Sequence, residues 1–209
     1  WNDTYLSLEP GHPSDNFGAI LAVADAYNCT GRELIVATAL AYELQCRLCD
    51  AASLRTNGFD HVNYGLVSAT LAAAKLMDAS RHEMEQAINI ALNGHVALRQ
   101  ARAGELTEWK GMAFGNVDRN AVLAAELATT GIDGPAPIFE GTFGFFNQVS
   151  GEFDLDVDRF GGHGGSFKIN ETLVKFYPVE YHAQAAVNCV FALQDAHDIT
   201  AGEITRIEN

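Results

Sequence analysis

Apolar residues recur at intervals of three and four through most of residues 15–130, the period of helices with one buried face. "FGAILAVADAY" (17–27) predicts one such helix, and Ser14, Asp15 and Asn16 ahead of it offer capping side chains. "TGRE" (30–33) and "SRHE" (80–83) each match a capping box, in which a hydroxyl and a glutamate satisfy each other's backbone N–H groups. After the first, Leu34, Ala37, Ala41, Leu44 and Leu48 share a face, flanked by a stripe of Tyr42, Cys46 and Cys49. After the second, Met84, Ala87, Ile88, Ala91 and Leu92 do the same, and His95 falls on that face too. "GLVSATLAAAKLM" (65–77) is rich in small residues, which lets neighbouring helices approach closely.

A further helix is predicted from Trp109 to Thr129, with Ala113, Val117, Ala121, Ala124 and Ala128 on one side, ended by "TTGIDGPAP" (129–137). The pattern then changes. Residues 138–170, with "GTFGFFNQVSG" and "GGHGGSF", are aromatic- and glycine-rich without sustained periodicity and read as long covering loops. "ETLVKFYP" (171–178) fits a short strand or a helix end, a helix follows from His182 to Leu193, and "GEITRIEN" (202–209) reads as the first strand of a second domain. The fold expected is mostly α: a helical domain over 1–170, then a junction over 171–209.

Composition narrows the function. The chain has 209 residues, 48% hydrophobic and 19% charged, enough for a sizeable core. No apolar run approaches the roughly 18–20 residues of a membrane span, so no membrane partner is expected. A net charge of −14 argues against nucleic acid, whose binding rests on Lys and Arg neutralising phosphates. The only lysines are Lys75, Lys110, Lys168 and Lys175; such an acidic, lysine-poor surface suits a salt-adapted organism, and equally an ordinary acidic cytoplasmic protein. The chain starts at Trp1 rather than Met, and an excerpt of a longer protein is expected. "CRLC" (46–49) has the look of a redox or metal pair, but its place on a helix favours core packing, and no metal is expected.

Several ionisable residues fall where periodicity would bury them. Lys110 extends the apolar stripe at the first turn of its helix, where a cation opposes the helix dipole. Either an anion binds there or the lysine snorkels at the edge of the core. His182 stands at the head of a stripe of Ala186, Cys189 and Leu193, with Lys175 just upstream across Pro178. His12 is pinned between Gly11 and Pro13 on a bend before a helix, and His61 follows the turn "NGFD". Arg99 and Arg102 could form a carboxylate clamp. "GGHGG" around His163 lacks the strand and spacing of a phosphate loop.

"WNDTYLSLEPGHPSDNFGAILA", "GFDHV", "ALRQAR", "WKGMAFGN" and "KFYPVEYHAQAAV" follow one another in an order that resembles the MmgE/PrpD family along essentially the whole chain. Carried over position by position, the resemblance implies active-site roles for Thr4, His12, His61, Lys110, Lys175 and His182. It implies a large all-α domain, lacking its first helices here, and the beginning of a smaller α/β lid, in a homodimer. It also implies cofactor-independent dehydration of 2-methylcitrate or a related hydroxy-tricarboxylate. The alternatives are decarboxylation of cis-aconitate, a metal or iron–sulfur module using the cysteines, and a non-catalytic helical protein. The dehydration would build negative charge on an anionic substrate, which Lys110, Lys175, Arg99 and Arg102 are the cations available to offset.

Overall fold

The computed structural model describes residues 3–162 and 165–207. Both capping boxes form and start the helices expected of them. Thr30 N donates to the Glu33 carboxylate at 2.6 Å and Glu33 N to Thr30 Oγ1 at 3.3 Å, opening one helix at Gly31. Ser80 and Glu83 repeat the exchange at 2.6 and 3.3 Å. The helices are α1 (Phe17–Ala26), α2 (Gly31–Ala51), α3 (Val62–Leu76), α4 (Arg81–Gly94), α5 (Trp109–Thr129) and α6 (Ala183–His197). The protein is mostly α-helical.

α3 is the hub, packed against α1, α2, α4 and α5. Of its residues only Leu71 and Lys75 escape full burial. Its small side chains make that possible: a Cβ at Gly65 would collide with the Phe114 ring on α5. The predicted stripe of α5, from Ala113 to Ala128, is buried throughout. One apolar cluster gathers around Leu48, Leu54, Tyr64, Leu66 and Val117, and a second around Ile20, Val23, Ala37 and Leu76. Cys46 and Cys49 lie fully buried in the first, and burial pushes both thiols up from their ordinary pKa. No group of three or more His, Cys, Asp or Glu among the described residues is placed to hold a metal ion.

Elsewhere the structure departs from the sequence pattern. The turn Pro13–Asn16 runs straight into α1 without a side-chain cap; Ser14 instead exchanges hydrogen bonds with Asp3, and Asn16 is buried. α4 stops at Gly94, so His95 sits on extended backbone rather than on the helix face. The aromatic loop covers the first cluster, with Phe145 against Tyr64 and Phe139, and Phe146 against Phe153. Residues 171–178 do form a strand, β2 (Leu173–Val174), paired antiparallel with β1 (Asp3–Thr4). Residues 202–207 are not a strand: a short turn at Ala201–Glu203 leads into irregular backbone, with no described strand beside it to pair. α6 has no buried residue, so His182 does not head a buried face.

One buried group lies away from these departures. Asp118 on α5 leaves Oδ1 without a partner among the described residues, and burial, reinforced by Asp15, pushes its carboxyl from 3.8 to about 8. The folded chain therefore holds a proton that the unfolded chain releases, and stability falls as pH rises across that interval. The slope is about 1.4 kcal/mol per pH unit. Asp118→Asn should flatten that decline: thermal melts at pH 5 and pH 8 should differ less in the variant than in the wild type. An unchanged difference would contradict the assignment.

Candidate functional site

Residues 3–16 are held from three sides. β1 is clamped by β2, with Asp3 opposite Val174 and Thr4 opposite Leu173. Tyr5 and Gly11 then exchange backbone hydrogen bonds at 2.9 and 3.0 Å, closing a loop with Glu9 inside it. The buried Glu9 carboxylate accepts from Leu54 N at 2.7 Å, Arg55 N at 3.0 Å and Ser53 Oγ at 2.9 Å. Asn16 closes the far end, donating to Gln45 Oε1 at 2.6 Å and accepting from Ser68 Oγ at 2.8 Å. His12 lies between these two buried anchors. Gly11 beside it sits against α2: a Cβ there would stand 3.2 Å from Cys49 Sγ and Gln45 Nε2, and 3.9 Å from His61 Cδ2.

His12 Nδ1 is 2.7 Å from the Asp3 carbonyl oxygen, with Thr4 Oγ1 at 3.4 Å. A carbonyl only accepts, so Nδ1 carries the proton and Nε2 keeps its lone pair. Burial lowers the His12 pKa below its ordinary value, helped by the nearby His61 and Lys175 against the opposing pull of the Asp3 carbonyl and Asp15. His61, at the entrance of α3, meets His12 edge-on with ring centroids 5.6 Å apart.

The surroundings of His61 differ in kind. Its Nδ1 is 2.9 Å from Asp60 Oδ1, and Asp60 Oδ2 accepts from Arg102 Nε at 2.7 Å. Burial would raise the Asp60 carboxyl, but His61 and Arg102 outweigh it and hold the group at about 2. Asp60 is thus a fully buried carboxylate that stays ionised. His61 Nε2 is buried with no partner among the described residues. The pair combines an imidazole held neutral with one backed by a negative charge, a contrast suited to one base and one acid.

The other candidates are placed unequally. Lys175 follows β2 directly and lies within electrostatic reach of both His12 and Glu180. Glu180 accepts from His182 N at 2.7 Å and pairs with His182 Nδ1 at 3.0 Å, but the His182 side chain is 88% exposed. Lys110 is exposed at the start of α5 rather than part of the buried stripe, because its stripe begins at Ala113. Its neighbour Trp109 lines a cavity of about 520 Å³ together with Asp60, His95, Leu98 and Asn116. Arg99 and Arg102 share a short helical turn but form no common clamp, since Asp60 engages Arg102 while Arg99 has no described ion pair. Among the described residues no contact joins Lys110 or Arg99 to the histidines, and Arg102 meets Asp60 rather than either ring. His163 lies outside the described residues.

Thr4, His12 and His61 thus come together, with Lys175 in electrostatic reach of His12 and Arg102 one step behind. Sequence reasoning overlooked Asp60, although "GFDHV" sets a carboxylate directly beside the histidine. It also overlooked Glu9 and read Asn16 as a capping residue, because their anchoring roles depend on partners more than 25 residues away.

Residues 1–158 match the model of the MmgE/PrpD N-terminal domain. The chain is 32% identical to a 2-methylcitrate dehydratase of Cupriavidus necator, over 94% of this chain and 43% of that protein. It is 31% identical to the enzyme of the same name from Escherichia coli K12, over 99% of this chain and 46% of that protein. It is 30% identical to a mitochondrial 2-methylcitrate dehydratase of Yarrowia lipolytica, over 93% and 40%. The chain therefore spans less than half the length of these relatives. With three quarters of its residues inside the family's domain model and the ordered segments in place, the chain belongs to the MmgE/PrpD family.

Proposed function

We propose that the complete polypeptide is a cofactor-independent hydro-lyase, acting as a homodimer, that dehydrates 2-methylcitrate or a closely related hydroxy-tricarboxylate. The observation that carries this reading is the His12–His61 pair: two imidazoles edge to edge, one beside a neutral carbonyl and the other on a buried carboxylate. The names of the relatives supply the substrate class.

In this reading His12, neutral, takes the proton from the carbon next to a substrate carboxylate at Nε2. His61, in its cationic form against Asp60, gives the Nε2 proton to the departing hydroxyl, which leaves as water. The bond electrons released by the first step become the new carbon–carbon double bond, and the two histidines exchange protonation states. Lys175 faces the charge that develops on the substrate, and Thr4 supports the His12 edge. Lys110, His182 and Arg99, assigned to the same site by the family resemblance or by their charge, complete the anion-binding groups.

Incubation of the complete polypeptide with 2-methylcitrate, citrate and cis-aconitate, followed by mass spectrometry, tests the reading. The expected result is loss of water from 2-methylcitrate, undiminished after dialysis against a chelator. Loss of carbon dioxide from cis-aconitate without any dehydration would overturn it.

A further inference from the structure

Asp60 is a fully buried carboxylate in direct contact with His61. Its two oxygens face different ways. Oδ1 meets His61 Nδ1 at 2.9 Å and Val62 N at 3.3 Å, while Oδ2 meets Arg102 Nε at 2.7 Å. Its own backbone N–H donates to the Ala97 carbonyl at 3.0 Å, and its carbonyl accepts from Asn63 Nδ2 at 2.8 Å. The carboxylate is therefore fixed at both ends and cannot rotate away without breaking the entrance of α3. On the other side of the imidazole, the buried Nε2 has no partner among the described residues.

We infer that Asp60, locked by Arg102, is the positioning residue of this site: it dictates that the neutral His61 ring carries its proton on Nδ1, leaving Nε2 as the working atom. The inference rests on the reading of His61 as a proton-transfer group. It also gives Arg102 a different task from binding substrate carboxylates: it is the donor that pins the far oxygen of Asp60.

The chemistry makes a distinctive demand on the amide analogue. Arg102 is a donor with no acceptor, so in Asp60→Asn it claims the single carbonyl oxygen. The amide NH2 then turns to His61, where only an unprotonated Nδ1 can accept from it. The proton of the neutral ring must move to Nε2, and the cationic ring that serves as the acid loses the carboxylate facing its Nδ1–H. Removing Arg102 as well frees the amide to rotate, return its oxygen to His61 and restore the original tautomer. A side chain that merely stabilised the fold would give neither the switch nor its reversal.

The test uses the complete polypeptide with 15N-labelled histidine, read by NMR at about pH 9, where imidazoles are neutral. The His61 signals are identified by their loss in His61→Asn. The wild type should show a protonated Nδ1 and an unprotonated Nε2, Asp60→Asn the reverse, and Asp60→Asn/Arg102→Met the wild-type pattern again. Turnover of Asp60→Asn should fall by roughly 10²–10⁴-fold in kcat, the scale of a misplaced tautomer in a carboxylate–histidine pair, with KM changed less than about threefold. Retention of the Nδ1 proton in Asp60→Asn, or failure of the double variant to recover it, would overturn the inference. A tautomer switch with kcat unchanged would leave the Asp60 geometry standing and overturn instead the role of His61 in catalysis.

Discussion

His61→Asn and His12→Asn are each expected to cut kcat by roughly 10²–10⁴-fold, the range lost when a positioned acid or base is removed, while circular dichroism shows nearly unchanged helical content. Asparagine is the informative replacement because its amide can still donate where Nδ1 did, to Asp60 in one case and to the Asp3 carbonyl in the other. The hydrogen bonds that seat each ring are thereby kept, and only the Nε2 chemistry is lost. If the two histidines work as one acid and one base on the same substrate, the double variant should be scarcely slower than either single one. Full activity in either single variant would remove the pair from the mechanism, and loss of helical content would show that the rings are structural.

The second large effect concerns stability. Glu9→Ala should destabilise the protein by about 3 kcal/mol, since Leu54 N and Arg55 N would be left buried or half-buried without their charged acceptor. For a chain of this size that corresponds to a melting temperature lower by roughly 6–12 °C. The same substitution should also depress turnover, because the loop that Glu9 closes is the one presenting His12. A melting temperature within about 1 °C of the wild type would mean that water replaces the carboxylate at little cost, contrary to its burial.

Much of the helical framework was legible in the chain itself, because its signals are local. A capping box spans four residues and a buried stripe repeats every turn, so Thr30–Glu33, Ser80–Glu83 and the face from Ala113 to Ala128 could be read directly. His12 stood out for a local reason too, its place before Pro13. Where long-range contacts decide, the reading failed. Ser14 caps nothing because Asp3 competes for it, and Lys110 is exposed because the buried stripe starts one turn later. Arg102, expected to face substrate, is engaged by Asp60 across 42 residues of sequence, a pairing that no local pattern announces. A carboxylate adjacent to a histidine is a visible signal, yet only the fold shows that it is buried and ionised.

The most direct test of the His12–His61 division of labour is deuterium exchange. The complete polypeptide and its two asparagine variants are incubated with 2-methylcitrate in D2O, and the recovered substrate is analysed for deuterium at carbon. If His12 removes the carbon proton and His61 serves the hydroxyl, His61→Asn should still exchange that hydrogen while forming little product, and His12→Asn should do neither. Exchange retained in His12→Asn and lost in His61→Asn would contradict the assignment.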